Sequence, residues 1–128
     1  MTTSEQQISL LVVDDEKVVR DIIYRYFTKK GYDVLTTRNG QEALLLGSRG
    51  MFDIIILDIN MPGINGLEVL HQLKSKYPNA KVIMLTGVAD PEAVIQSTAE
   101  GMGALAFLKK PCELTELQRV IDKACDRN

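Results

Sequence analysis

The chain of 128 residues carries 17 acidic and 15 basic side chains, a formal balance of −2, with 45% hydrophobic and 25% charged residues. That is the make-up of one globular domain with a core that stands without staples, and no second domain fits. The weak acidity, without a run of five like charges, argues against direct nucleic acid or membrane contact. Apolar runs of about six residues fall short of the ~20 that a span needs, Met1–Gln7 has no basic signal-peptide start, and a cytoplasmic setting is expected.

In chain order, Ile8 to Val13 reads as a buried strand stopped by Asp14, Asp15 and Glu16. Val19, Ile22, Ile23, Tyr26 and Phe27 then recur at helical spacing until Gly31. Tyr32 to Thr37 is a second strand, and Gln41 to Gly47 a short helix. Ile54 to Leu57, the most hydrophobic strand candidate, runs into Asp58 and implies a central position. Past a turn-rich stretch from Asn60 to Gly66, the residues Leu67, Val69, Leu70 and Leu73 predict a third helix ending near Tyr77-Pro78-Asn79. Lys81 to Leu85 is strand four, and Asp90-Pro91 opens a helix carried by Ala93 to Met102. Leu105 to Leu108 is strand five. Glu113 to Cys125 puts Leu114, Leu117, Ile121 and Ala124 on one helical face. Five strand–helix pairs joined by short loops predict an α/β fold with a parallel sheet covered by helices on both faces.

Ligands of such sheets sit beyond the carboxyl ends of the strands, and here those ends are polar. Strand one ends in Asp14-Asp15, strand three in Asp58, strand four in Thr86-Gly87, and strand five runs into Lys109-Lys110-Pro111. Each group alone has an ordinary explanation: a helix cap, a turn hydroxyl, a solvated charge. Together they place three carboxylates, a hydroxyl and an ammonium on one rim. Carboxylates ~4 Å apart repel by several kcal/mol near a protein surface, so the cluster must bind a cation or share protons. All-oxygen ligands favour a hard ion, and few protein ligands with retained waters favour Mg²⁺ over Ca²⁺. A carboxylate beside a metal, an ammonium and a hydroxyl is equipment for phosphoryl transfer, with an aspartyl phosphate as product.

These residues resemble the response-regulator receiver domain of two-component signalling over essentially the whole chain. The resemblance is carried by Val12-Val13-Asp14-Asp15-Glu16, by Asp58 through Met61-Pro62-Gly63 to Gly66, by Leu85-Thr86 and by Phe107-Leu108-Lys109-Lys110-Pro111. It implies a flavodoxin-like, doubly wound sheet in the order 2-1-3-4-5 with five helices, a receiver body over 8–126, and a poorly ordered tail over 1–7. By the same resemblance Asp58 is the phosphoacceptor, Asp15 and Asp58 are direct Mg²⁺ ligands, Asp14 is a ligand through water, and Asn60 is a ligand through its carbonyl. Lys110 pairs with the phosphoryl group, Thr86 is the switch hydroxyl, Phe107 is the switch aromatic, and Lys110-Pro111 is a cis bond. The donor is a histidine kinase or histidine phosphotransfer protein, followed by autodephosphorylation. An output domain or downstream protein reads the changed face of helix four, strand five and helix five, through which a homodimer also forms. The resemblance is equally that of a stand-alone regulator and of a receiver cut from a longer protein.

Several positions depart from the family pattern. Cys112 stands where an aromatic residue is common, and the segment from Thr86 to Lys110 is about two residues longer, with Gly101 and Gly103 weakening the end of helix four. By the resemblance, Asn60 and Val88, two residues beyond Asp58 and Thr86, flank the entry for attacking water and help set the lifetime of the phosphorylated form. Cys112 and Cys125 form no CxxC or Cys/His cluster and read as reduced thiols, His71 as a surface residue, and Met61, Met84 and Met102 as core and loop fillers. Two rival functions are a haloacid-dehalogenase-like Mg²⁺-dependent phosphatase and a binding module that has kept the fold without the chemistry. Chain order argues against the first, because the best nucleophile follows strand three. Retention of all five polar groups argues against the second.

Overall fold

A computed structural model describes residues 7–47, 52–61, 63–87, 101 and 103–126. Five strands, β1 (Ser9–Val13), β2 (Asp33–Thr37), β3 (Ile54–Asp58), β4 (Val82–Thr86) and β5 (Ala106–Lys109), pair in parallel in the order β2-β1-β3-β4-β5. The four helices among the described residues are α1 (Lys17–Lys29), α2 (Gly40–Gly47), α3 (Gly66–Lys76) and α4 (Leu114–Ala124). The last of these is the fifth predicted helix. The fourth predicted helix, over 93–102, lies outside the described residues apart from Gly101, and so do Pro62, Val88, Asp90, Pro91, Met102 and the predicted tail up to residue 6.

Burial explains the order of the strands. Every residue of β3 and β4 is buried, as a strand covered on both faces requires, whereas the edge strand β2 alternates between exposed and partly buried positions up to the buried Thr37 at its end. β3 is the central strand, in agreement with its unbroken apolar run. One core layer gathers Leu11, Leu57, Met84, Val69 and Leu73 on the α2–α3 side. The other gathers Leu10, Ile56, Phe27, Leu117 and Ile121 on the α1–α4 side. Phe27 is fully buried, with its ring 5.0 Å edge-on from both Tyr26 and Tyr32. Phe27→Ala is therefore expected to cost about 3–5 kcal/mol, read from denaturant unfolding at an unchanged m-value.

Ile22 departs from expectation. Its helical spacing groups it with Val19, Ile23, Tyr26 and Phe27, yet it is 48% exposed. The stripe that meets the sheet is Ile23 and Phe27, four residues apart, with Val19 and Tyr26 packed beside them. Ile22 instead borders an open cavity of about 570 Å³ between α1 and the segment leading into α4, lined also by Val19, Leu85, Pro111, Cys112 and Leu114. A thiol fills less of this space than an aromatic ring would. Cys112 is half-buried there, and burial pushes its pKa up, which disfavours the reactive thiolate. Met61 and Met84 are core residues, and His71 is exposed, as expected.

Candidate functional site

Parallel pairing brings the carboxyl ends of β1, β3, β4 and β5 to one rim, because in such a sheet all strands point the same way. Asp58 is the last residue of β3, opposite Leu85, and Thr86 is the last residue of β4, opposite Lys109. Asp14 directly follows β1, and its backbone N–H donates to the Thr37 carbonyl at 3.1 Å, so the ladder to β2 continues one step beyond the strand. The Ile59 N–H donates to Leu85 at 3.0 Å and does the same for β3. The Lys110 N–H donates to the Thr86 carbonyl at 2.6 Å, which ties the lysine to the end of β4. The Lys110-Pro111 peptide bond is cis.

Asp14 is completely buried and Asp58 is 3% exposed, whereas Asp15 is exposed. One carboxylate oxygen from each of the three lies within 4.8 Å of the other two. The Lys110 ammonium sits among the acids, 2.8 Å from Asp14 Oδ2, 3.0 Å from Glu16 Oε1 and 3.3 Å from Asp58 Oδ2. Asp14 Oδ1 accepts the Glu16 backbone N–H at 2.9 Å, and Asp58 Oδ1 accepts the Asn60 N–H at 3.2 Å. Asp15, Glu16, Asp58, Asn60, Gly87 and Lys110 line a cleft of about 280 Å³.

Burial, and after it the nearby Asp14, pushes the Asp58 pKa up to about 7, against the pull of Lys110 and the Asn60 N–H. For Lys110 burial is the largest influence and favours the neutral amine. The contacts with Asp14 and Glu16 outweigh it and hold the ammonium above the ordinary lysine range. The cluster also suits a hard divalent ion. Its donors are all oxygens, and Asp14 Oδ2 is fully buried with no hydrogen bond of proper geometry among the described residues, its ammonium contact being an ion pair only. Such an oxygen has lone pairs to spare for a cation or its hydration shell.

Of the predicted site residues, Asp14, Asp15, Asp58, Asn60 and Lys110 converge on one place. Thr86 is buried at the same rim, next to the cleft-lining Gly87, but does not itself line the cleft. Phe107 lies further away, half-buried on β5 opposite Met84 and packed on the α2–α3 core layer. Lys109 is exposed. Sequence reasoning assigned no role to Glu16, although one signal was present. It occupies the N-cap position of α1, where glutamate is a poor capping residue, and its side chain does not cap the helix. Gly66 likewise stands in the sequence only as the end of the turn-rich stretch from Asn60.

Comparison with known proteins agrees with this geometry. Residues 10–122 match the family model described as the response regulator receiver domain. The chain is 32% identical over 114 residues to sporulation initiation phosphotransferase F of Bacillus subtilis, covering 89% of this chain and 90% of that protein. It is 38% identical over 108 residues to the response regulator SaeR of Staphylococcus aureus, where it covers 84% of this chain but 46% of the relative. Other relatives are longer still, and the chain spans 31% of one and 24% of another. Among solved structures, the response regulator TrrA of Thermotoga maritima in complex with Mg²⁺-BeF superposes with a TM-score of 0.81 at 36% identity, covering 92% of this chain and 99% of that one. A match of this length, on a sheet of this order with these acids at its rim, makes the chain a member of the response-regulator receiver family, whose domains are phosphoacceptors and phosphorylation-dependent signalling switches.

Proposed function

We propose that Asp58 is the phosphoacceptor and that a histidine kinase or histidine phosphotransfer protein supplies its phosphoryl group. The observation that carries this reading is the position of Asp58 Oδ2. It is nearly buried, yet it borders the acidic cleft and lies 3.3 Å from an ammonium that can pair with an incoming phosphoryl oxygen. In the transfer the Asp58 carboxylate attacks phosphorus, the P–N bond to the donor imidazole breaks, and the imidazole nitrogen retains the electron pair and takes a proton. Autodephosphorylation is attack of water on the same phosphorus, which returns the carboxylate and inorganic phosphate.

Asp14, Asp15, Asp58 and the Asn60 carbonyl would hold Mg²⁺, which neutralises charge in the cluster and on the phosphoryl oxygens. Lys110 holds another phosphoryl oxygen and the Thr86 hydroxyl a third. Movement of Thr86 toward the new dianion opens space for Phe107, so that the face formed by the fourth predicted helix, β5 and α4 changes for a downstream protein, an output domain or a second copy. We assign the receiver body to 8–126 and the setting to the cytoplasm. Among the described residues no helix is long and apolar enough to cross a membrane.

The test is incubation with Mg²⁺ and a small acyl phosphate, then intact-mass measurement and location of the adduct. One alkali-labile phosphoryl group on Asp58 is expected. Steady release of phosphate from many small esters would favour the phosphatase, and no adduct would leave an inert module.

Stability gives an independent check on the metal. Folded Asp58 binds its proton more tightly than the unfolded chain does, so this group's contribution favours folding at low pH and is lost as pH rises from about 4 to about 7. A divalent ion offsets that loss only where Asp58 is ionised. Mg²⁺ is therefore expected to raise the melting temperature more at pH 8 than at pH 5 in scanning fluorimetry. Equal shifts at both pH values would remove Asp58 from the ligand set.

A further inference from the structure

The Lys110 ammonium is shared among three carboxylates, and the partners differ in kind. Asp14 is buried and pinned through its other oxygen to the Glu16 backbone. Asp58, the most distant at 3.3 Å, is the group the ammonium has to serve during phosphoryl transfer. Glu16 is the third, and its contact combines proximity with hydrogen-bond geometry at 3.0 Å. Its side chain is 61% exposed, against 18% for Lys110. Glu16 thus holds a largely buried cation from the solvent side, at the mouth of the cleft. Its main chain is fixed by the Asp14 Oδ1 bond, while its carboxylate takes no part in capping α1.

We propose that Glu16 is a positioning residue that latches Lys110 in the resting protein and yields it when a phosphoryl group arrives on Asp58. This rests on the phosphoacceptor reading above. An exposed ion pair is weak, screened by salt and easily exchanged for a dianionic acceptor, which is what a latch requires. While the latch is closed, the ammonium is shared with a group outside the reaction, and the carboxylate also opposes the approach of an anionic donor.

Two variants separate these effects. Glu16→Gln removes both latch and charge. Glu16→Asp keeps the charge, caps α1 at least as well, and is one methylene too short to reach the ammonium. Rates of phosphorylation by a small acyl phosphate with Mg²⁺ are expected to rise roughly two- to fivefold in both variants at low salt, the range an exposed pair commands. The parent rate should converge on the variants at high salt. In metal-free protein, the NMR signals of the Lys110 ε-methylene should shift in both variants.

A faster rate in Glu16→Gln alone, with Glu16→Asp like the parent, would mean simple charge repulsion and overturn the latch. Unmoved Lys110 signals would overturn it too, and so would a change in melting temperature without a salt-dependent gap in rate. A parent that takes up no phosphoryl group would defeat the phosphoacceptor reading, while the NMR arm would still decide whether Glu16 holds Lys110.

Discussion

Asp58→Asn is expected to take up no phosphoryl group and, without divalent ions at pH 8, to melt above the parent. The first result is read by intact mass, the second by thermal unfolding. The carboxylate is buried beside Asp14, and both effects push its pKa up to about 7 because the site tolerates the charge poorly. Moving that pKa from 3.8 corresponds to at most about 4 kcal/mol in the ionised form. That figure is already net of the 3.3 Å ion pair with Lys110; an amide oxygen can still accept the Asn60 N–H, but its NH₂ group has to be desolvated in place of the carboxylate. A net gain of about 2 kcal/mol, roughly 5–10 °C for a chain of this size, is the expected balance. At pH 5 the parent carboxyl is largely protonated and the two proteins should melt nearly together. A variant that is less stable at pH 8 would show that the ion pair with Lys110 outweighs the repulsion in the cluster.

Gly66→Ala is expected to damage both the fold and the reaction. A Cβ at this position would collide with the Asp58 carbonyl oxygen, approach the Ile59 Cα to 2.7 Å and the Asp58 carbonyl carbon to 2.9 Å, all of them backbone atoms. The Gly66 N–H also donates to the Ile59 carbonyl at 2.8 Å, so the start of α3 is bonded to the segment just beyond β3. A methyl group there has no flexible side chain to displace and must push the segment carrying Asp58 and Asn60. We expect a loss of about 3 kcal/mol or more and a phosphorylation rate reduced by over tenfold even in the fraction that remains folded. Gly31→Ala is the contrasting control. Among the described residues nothing lies within 4 Å of a Cβ added there, and with φ of +93° the variant pays only left-handed strain, about 1 kcal/mol. Similar behaviour of the two variants would refute the close-approach argument.

Most strand positions were legible because burial on both faces leaves unbroken apolar runs. Ile54 to Leu57 and Val82 to Leu85 showed this, and the structure buries all of them. The helices were legible through spacing, with Val69, Leu70 and Leu73 buried on α3 and Leu117 and Ile121 on α4. Ends shifted by a residue, as where β4 continues through Thr86. Ile22 was misjudged because periodicity states which way a residue points. It does not state whether anything fills the space there.

The amino-acid order alone determined the alternation of strands and helices and the polar residues that end the strands, since both are local properties of pattern. The same pattern put those ends on one rim, and only the tertiary structure decided which side chains touch there. Lys110 and Glu16 are 94 positions apart and bond because β5 and β1 run parallel, so that their following loops open onto the same rim. The approach of Gly66 to the Asp58 backbone and the open space beside Cys112 are likewise matters of packing between elements, which a one-dimensional pattern does not encode.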